Sequence, residues 1–209
     1  GTSSIIAAYG SYAPMQGLFV DGMVATGDLH FRTRRKIADT EMYAYGSRDG
    51  SMKLGALALG LDRANGDFRW SAYGRAEWLS AKLDAYSEVG GGRMNLRFNA
   101  RELESLSSVL GARFEYSRAT GFGSIKPRLR AEWRHEFQDG GVQFLDYADI
   151  AGQAQYSLDA TGWRRDQFAL TLGSSLMLRS AWVFDLDLEL RGAPGERSGA
   201  LRGKITKEF

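Results

Sequence analysis

The sequence predicts an all-β protein built from antiparallel strands, and three observations lead to this prediction. Apolar and polar residues alternate with a period of two along most of the chain. Clusters rich in glycine, asparagine, aspartate and proline interrupt the alternation, as turns do. The longest apolar run, Leu54 to Leu61, is far shorter than the roughly 18 residues of a membrane helix.

The alternation is clearest between residues 126 and 137. One parity is apolar and consists of Pro127, Leu129, Ala131, Trp133 and Phe137. The other parity is charged and consists of Lys126, Arg128, Arg130, Glu132, Arg134 and Glu136. Successive side chains of a strand point to opposite faces, so the segment predicts a strand with one apolar and one charged face. The same division recurs in residues 184–191, where four apolar residues alternate with Asp185, Asp187, Glu189 and Arg191.

The turn signals divide the chain into about ten strands. Their predicted bounds are 3–13, 17–35, 51–63, 67–88, 104–119, 124–138, 143–158, 165–180, 182–192 and 199–209. Short joins such as Ser180-Ala181 require antiparallel hairpins. The longer connections, residues 37–50 and 89–103, fall on the other side, and this asymmetry is typical of an outer-membrane barrel.

Composition excludes several kinds of site and partner. The chain has 209 residues, which suit a single domain spanning 1–209. It has no cysteine, which excludes a disulfide scaffold, a thiolate zinc site and a cysteine nucleophile. Lysine and arginine total 27 against 25 aspartate and glutamate, so the net charge of +2 gives no reason to expect a nucleic-acid partner.

An antiparallel meander of this kind closes either as a soluble barrel or as a transmembrane barrel. Several segments alternate for roughly 12 to 20 residues, which favours a transmembrane up-and-down barrel because soluble strands average about 5–6. In that barrel the apolar face contacts lipid and the charged face lines a wet lumen. We expect an outer surface that includes Leu129, Trp133, Phe168, Leu170, Leu186, Leu188 and Leu190. We expect a pore lining that includes Arg128, Arg130, Glu132, Arg134, Asp185, Asp187 and Glu189.

The segment Pro127 to Phe137 resembles a strand found late in the autotransporter translocator domain of Gram-negative type V secretion. That family carries the pattern Pro-x-Leu-x-(apolar)-x-Trp-x-His-Glu-Phe. Four further features agree in order with the family, namely Leu83 to Glu88, Ser107 to Arg113, Arg165-Asp166 and the terminal Phe209. The resemblance runs from about residue 5 to the end of the chain.

The resemblance implies a barrel in the outer membrane of a Gram-negative bacterium that anchors and exports a covalently linked N-terminal passenger. Outer-membrane lipid and the barrel-assembly machinery are then the other partners, and Phe209 is the assembly signal that this machinery recognises. Family members usually have twelve strands and a helix through the pore. The chain shows about ten strands and no such helix, so we expect it to begin near the third strand of an N-terminally incomplete domain.

Two alternatives to this function remain open on the sequence alone. One is a porin-like or adhesin-anchoring barrel without secretion, and the other is an omptin-like outer-membrane protease. The adjacent residues His135 and Glu136 point to opposite faces of a strand, which disfavours a protease. Asp185 and Asp187 share a face, but we expect them to form ion pairs with Arg179, Arg191 and Arg202. We therefore expect no catalytic, cofactor-binding or metal site, and no enzyme activity.

Overall fold

The computed structural model describes residues 1–150, 155–159 and 164–207. Within this part of the chain, fourteen strands and one short 3₁₀ turn at Gly92–Met94 form the fold. The strands are β1 Thr2–Met15, β2 Leu18–Lys36, β3 Tyr43–Asn65, β4 Phe68–Leu83, β5 Tyr86–Ser87, β6 Leu96–Phe98, β7 Arg101–Tyr116, β8 Arg118–Thr120, β9 Gly123–Glu136, β10 Val142–Tyr147, β11 Tyr156–Asp159, β12 Asp166–Leu178, β13 Trp182–Ala193 and β14 Glu196–Lys207. No helix in the described ranges is long and apolar enough to span a bilayer.

The main sheet contains ten strands, of which nine are long. The long strands follow chain order as β1-β2-β3-β4-β7-β9-β12-β13-β14, and each is antiparallel to its neighbours. The short strand β8 pairs only with β9. Among the described residues the hydrogen-bond ladder starts at β1 and ends at β14. The all-β, antiparallel up-and-down arrangement of about ten strands is confirmed.

One predicted barrel strand lies elsewhere. Residues 143–158 are not a strand of the main sheet, because β10 and β11 pair in a second sheet of order β11-β10-β6-β5. The physical reason is length, since β10 has only 6 residues, whereas a barrel strand needs about 9–11 to cross a bilayer. The connection predicted at 89–103 supplies β6 and the first residues of β7.

The connection predicted at residues 37–50 was also too long. Strand β3 begins at Tyr43, and Gly50 pairs with both Leu29 and Leu83 inside the sheet. Asp49-Gly50 is typical of a turn, but here Gly50 lies inside the sheet, because its missing side chain leaves room for Leu83 on the next strand. A Cβ at Gly50 would lie 2.8 Å from Cδ2 of Leu83.

The two ends of the main sheet differ in the length of their connections. At one end the hairpins β1–β2, β3–β4 and β12–β13 turn through residues 16–17, 66–67 and 179–181. At the other end the connections span residues 37–42, 84–100 and 137–165, and only the β13–β14 turn is short. We call these the short-turn end and the loop end. In outer-membrane barrels the short turns lie on the periplasmic side and the long loops outside the cell.

The two faces of the sheet are inverted relative to a water-soluble protein. On β12 and β13 the apolar residues are exposed, with Phe168 at 59% and Leu186 at 55% of full exposure. The charged residues of the opposite face are half-buried, and the Glu132 side chain is only 16% exposed. The largest fully buried side chains are Glu136, Val109 and Ser107, so the described residues form no large apolar core beneath the sheet. Apolar side chains turned outward are expected where the surroundings are hydrocarbon.

Candidate functional site: the charged lumen

The charged face of β4, β7, β9, β12, β13 and β14 surrounds a cavity of about 1400 Å³, which we call the lumen. Six of the seven residues expected to line a pore border it: Arg128, Arg130, Glu132, Arg134, Asp187 and Glu189. Asp185 is placed just behind them, with its Oδ1 3.6 Å from Nη1 of Arg128. Among the described residues, ten further charged ones, which the predicted pore lining did not include, also border the lumen: Asp62, Arg69, Arg75, Arg113, Glu115, Arg164, Arg191, Glu196, Arg197 and Arg202.

An ion pair joins β9 to β13 across the intervening strand β12. Arg128 donates from Nε to Oδ1 of Asp187 at 3.0 Å and from Nη2 to Oδ2 at 2.7 Å. Gly173 of β12 stands in register between these two residues. A Cβ at Gly173 would lie 2.6 Å from Nε of Arg128, so only glycine leaves the path open. The pair therefore links two strands that are not neighbours.

This bridge corrects the expected partners of the two aspartates. Asp185 and Asp187 both form their ion pairs with Arg128, and not with the Arg179, Arg191 and Arg202 that the sequence suggested. Arg202 does stand directly opposite Asp187 in the β13–β14 register. Arg191 and Arg202 instead contact Glu189, which lies at 3.5 Å from Nη2 of Arg202. The reason is the gap at Gly173, which lets an arginine from two strands away compete with the arginines of the adjacent strand.

A second bridge of the same design joins β4 to β9 across β7. Tyr73 and Glu132 stand in register on either side of Gly111. The Tyr73 ring lies over Gly111, where a Cβ would be 2.6 Å from the phenol oxygen. The hydroxyl donates to Oε1 of Glu132 and accepts from Nε of Arg130 at 3.1 Å. A glycine in the middle strand again makes room for a polar contact over it.

At the loop end, a small folded unit lies against the lumen face of β2 and β3. This cap consists of residues 84–100 and 137–147 together with β11, and it contains the second sheet. Arg48 of β3 holds it, donating to the carbonyls of Asp84 at 2.7 Å and Asn99 at 3.0 Å and to Oε1 of Gln143 at 3.0 Å. Arg48 has the opposite parity to the exposed Leu57, Leu59 and Leu61, so the cap packs on the inner side.

A buried carboxylate fixes the same cap to β2. Glu88 is 4% exposed and accepts from Nε of Arg35 at 3.0 Å and from the Leu96 amide at 2.9 Å. Burial raises the pKa of the Glu88 carboxyl, but the hydrogen bonds from Arg35 and Leu96 outweigh it and leave the pKa below its ordinary value of 4.5. Arg48 carried no sequence signal, because it lies in the predicted connection 37–50. Glu88 was predicted only as the end of strand 67–88 and of the family-like segment Leu83 to Glu88, with no role in holding a cap.

His135 and Glu136, the residues that could have suggested a protease, lie on opposite faces of β9. On the outer face, Nδ1 of His135 lies 2.9 Å from Oδ1 of Asp166, which also accepts from the Trp133 indole at 3.0 Å. On the inner face, Glu136 is 2% exposed and accepts from Ser105 at 2.6 Å and from the Leu106 amide at 2.8 Å. Glu136 is the last member of the charged parity of β9, so the period of two could have identified it.

Two further expectations from the sequence concern a metal site and the assembly signal. No group of three or more histidine, aspartate or glutamate side chains in that part of the chain could hold a metal ion. Phe209, the expected assembly signal, lies outside the described residues.

An outward apolar face, an inward charged face and unequal connections at the two ends define an outer-membrane β-barrel. The sequence matches the autotransporter beta-domain family over residues 2–189, and the chain belongs to that family. The protein is accordingly an outer-membrane translocator of a Gram-negative bacterium with a linked passenger domain, and the resemblance seen in the sequence is confirmed.

A solved structure supports the fold. The chain is similar to the translocator domain of the autotransporter NalP from Neisseria meningitidis, with a TM-score of 0.64 and 13% sequence identity. The similarity covers 99% of this chain and 68% of that chain. The comparison with curated proteins finds no match.

The glycine-spanning ion pair gives a first testable prediction. A double-mutant cycle of Arg128→Gln and Asp187→Asn should give a coupling free energy of about 0.5–1 kcal/mol, because the pair is half-exposed to lumen water. In a Gly173→Ala background the new Cβ displaces the guanidinium, and the coupling should fall to zero. Urea unfolding in lipid vesicles measures it. Gly203→Ala is the matched background, since a Cβ there has nothing within 4 Å. An unchanged coupling in Gly173→Ala would contradict the bridge.

The buried carboxylate of the cap gives a second prediction. Because the pKa of Glu88 is lower in the folded cap than in an unfolded chain, its stabilisation is present above pH 4.5 and is lost as pH falls through the folded pKa. We expect hydrogen-exchange protection of the Leu96 amide, corrected for the intrinsic rate, to fall in that range. Glu88→Gln should lower protection at neutral pH and remove the pH dependence. Glu41→Gln, a change at a fully exposed carboxylate, should alter neither.

Proposed function

We propose that the lumen is the path by which the linked passenger reaches the cell surface. The observation that carries the proposal is the inversion of the two faces around the lumen. Charged side chains that are half-buried keep this space wet, while exposed leucines form the surface that meets outer-membrane lipid. A polypeptide in transit needs an aqueous route, since its unpaired backbone groups would cost several kcal/mol each in hydrocarbon.

The seven residues expected to line the pore act in this proposal as its wall. Arg128 pairs with both Asp185 and Asp187, and Arg130 pairs with Glu132, so these charged groups are partly neutralised while they keep the wall hydrated. We propose no catalytic residue and no bound cofactor, because export through such a path requires no bond to be made or broken.

Site-directed cross-linking tests this path, and the absence of cysteine from the chain makes it specific. A cysteine is placed at Thr171, which borders the lumen, and a matched one at Leu172, the exposed residue beside it. A second cysteine in a passenger that stalls during export should cross-link to Thr171→Cys and not to Leu172→Cys. Equal cross-linking at the two positions, or export of the passenger with no cross-link to Thr171→Cys, would mean that the lumen is not the path.

We propose that Phe209 is recognised by the barrel-assembly machinery. Strand β14 runs from the loop end to the short-turn end, so its last described residue, Lys207, lies at the periplasmic side. Aromatic side chains prefer the membrane interface at such a rim. Deleting Phe209, or changing it to Asp, should lower the assembled fraction in heat-modifiability gels while synthesis is unchanged. Phe209→Tyr keeps an aromatic ring and should assemble normally. Normal assembly of the deletion would end the proposal.

A further inference from the structure

The charges that border the lumen do not balance. Among the residues that the structure describes, ten arginines and six aspartates or glutamates line this cavity, and no lysine does. Two further carboxylates, Glu77 and Asp185, pair with lining arginines from just outside the lining, which leaves the arginines in excess. Most of these groups form ion pairs, which cancel locally. The remaining excess is positive, and it stands in a confined space between low-dielectric walls, where a charge acts more strongly than in bulk water.

The excess is concentrated at one place. Four arginines on the inner faces of β4, β7 and β9 share only two carboxylates, and we call them the arginine cluster: Arg75, Arg113, Arg130 and Arg134. Arg75 and Arg134 both bind Glu77. Arg130 binds Glu132 at 2.6 Å, and Arg75 approaches the same carboxylate at 3.7 Å.

Arg113 is the member without a carboxylate of its own. In the described part of the chain no acidic oxygen lies within ion-pair distance of its guanidinium, which rests over the Tyr73 ring at 4.8 Å from the centroid. Its neighbour along the strand, Glu115, stands in register with Arg128 instead. The side of the lumen around Arg128 has Asp185, Asp187, Glu189 and Glu115 nearby, so the positive excess is not shared with that side.

A second observation is independent of this count. Arg113 and Arg130 are directly opposite each other in the β7–β9 register, and both side chains point into the lumen. Like charges in directly opposed positions destabilise a sheet. A mobile negative ion between them relieves that repulsion, and the cavity provides the space for it.

We propose that the arginine cluster binds small inorganic anions and makes the lumen anion-selective. Rings of arginine or lysine select anions in other pores by the same electrostatic effect. The inference rests on the proposed aqueous lumen but not on passenger export. Failure of the cross-linking experiment would therefore leave it standing, and loss of selectivity would leave export unaffected.

Reversal potentials in planar bilayers test the proposal with the purified full-length protein. In a potassium chloride gradient the wild type should pass chloride in preference to potassium. Arg113→Gln should bring the permeability ratio close to unity, and Arg113→Glu should invert it. Arg32→Gln is the matched control, because it removes the same charge from an exposed position on β2, of opposite parity to Arg35. The control should keep the wild-type ratio.

If the purified protein inserts into the bilayer but passes no current, a second measurement tests the proposal. At constant ionic strength, sulfate should raise the temperature at which the folded band disappears on gels, for the wild type and Arg32→Gln but not for Arg113→Gln. Equal permeability or a cation preference in the wild type would overturn the proposal. It would also be overturned if Arg32→Gln changed selectivity as much as Arg113→Gln, or if neither conduction nor sulfate stabilisation appeared.

Discussion

The structure depends on one constraint, which is that hydrocarbon offers no partner to a charge. Every ionic side chain at membrane depth must therefore point inward and find its partners on the lumen face of the sheet. Adjacent strands alone do not meet this demand, since Arg128 reaches Asp187 and Tyr73 reaches Glu132 over a strand between them. Gly173 and Gly111 make both contacts sterically possible. Polar contacts over glycines thus tie the strands together where a soluble protein would use an apolar core.

The alternation predicted the strands that cross the membrane because two different solvents enforce it there. Leu186 and Asp187 face lipid and lumen respectively, and their order in the sequence suffices to assign the faces. Beyond the membrane both faces meet water or protein, so the pattern no longer constrains the backbone. For this reason β10 was predicted as part of a barrel strand, and the start of β3 as a connection. The alternation predicts on which face of the sheet a side chain lies, but it does not predict which residue that side chain contacts. The pairing of Arg128 with Asp187 depends on Gly173, which lies on a third strand.

The lumen combines two electrostatic characters within one cavity. Around Arg128 the carboxylates match or exceed the arginines, which gives a wall that holds water with little net attraction for a passing chain. Around Tyr73 the arginines exceed the carboxylates, and their repulsion is moderated by a ring contact to Arg113 and hydrogen bonds to Glu132. Both regions arise from the same alternating pattern, because they differ only in the sign of the charge on their inward-facing side chains.

The cap has a consequence for the order in which the molecule takes shape. Its sheet joins β6, which precedes β7, to β10, which follows β9, so its two halves come from connections on either side of two long strands. Contacts between segments distant in sequence form late, because the chain between them must first be ordered. The cap sheet is therefore expected to form only after β7 and β9 have paired. A formed cap then reports that the middle of the main sheet is complete.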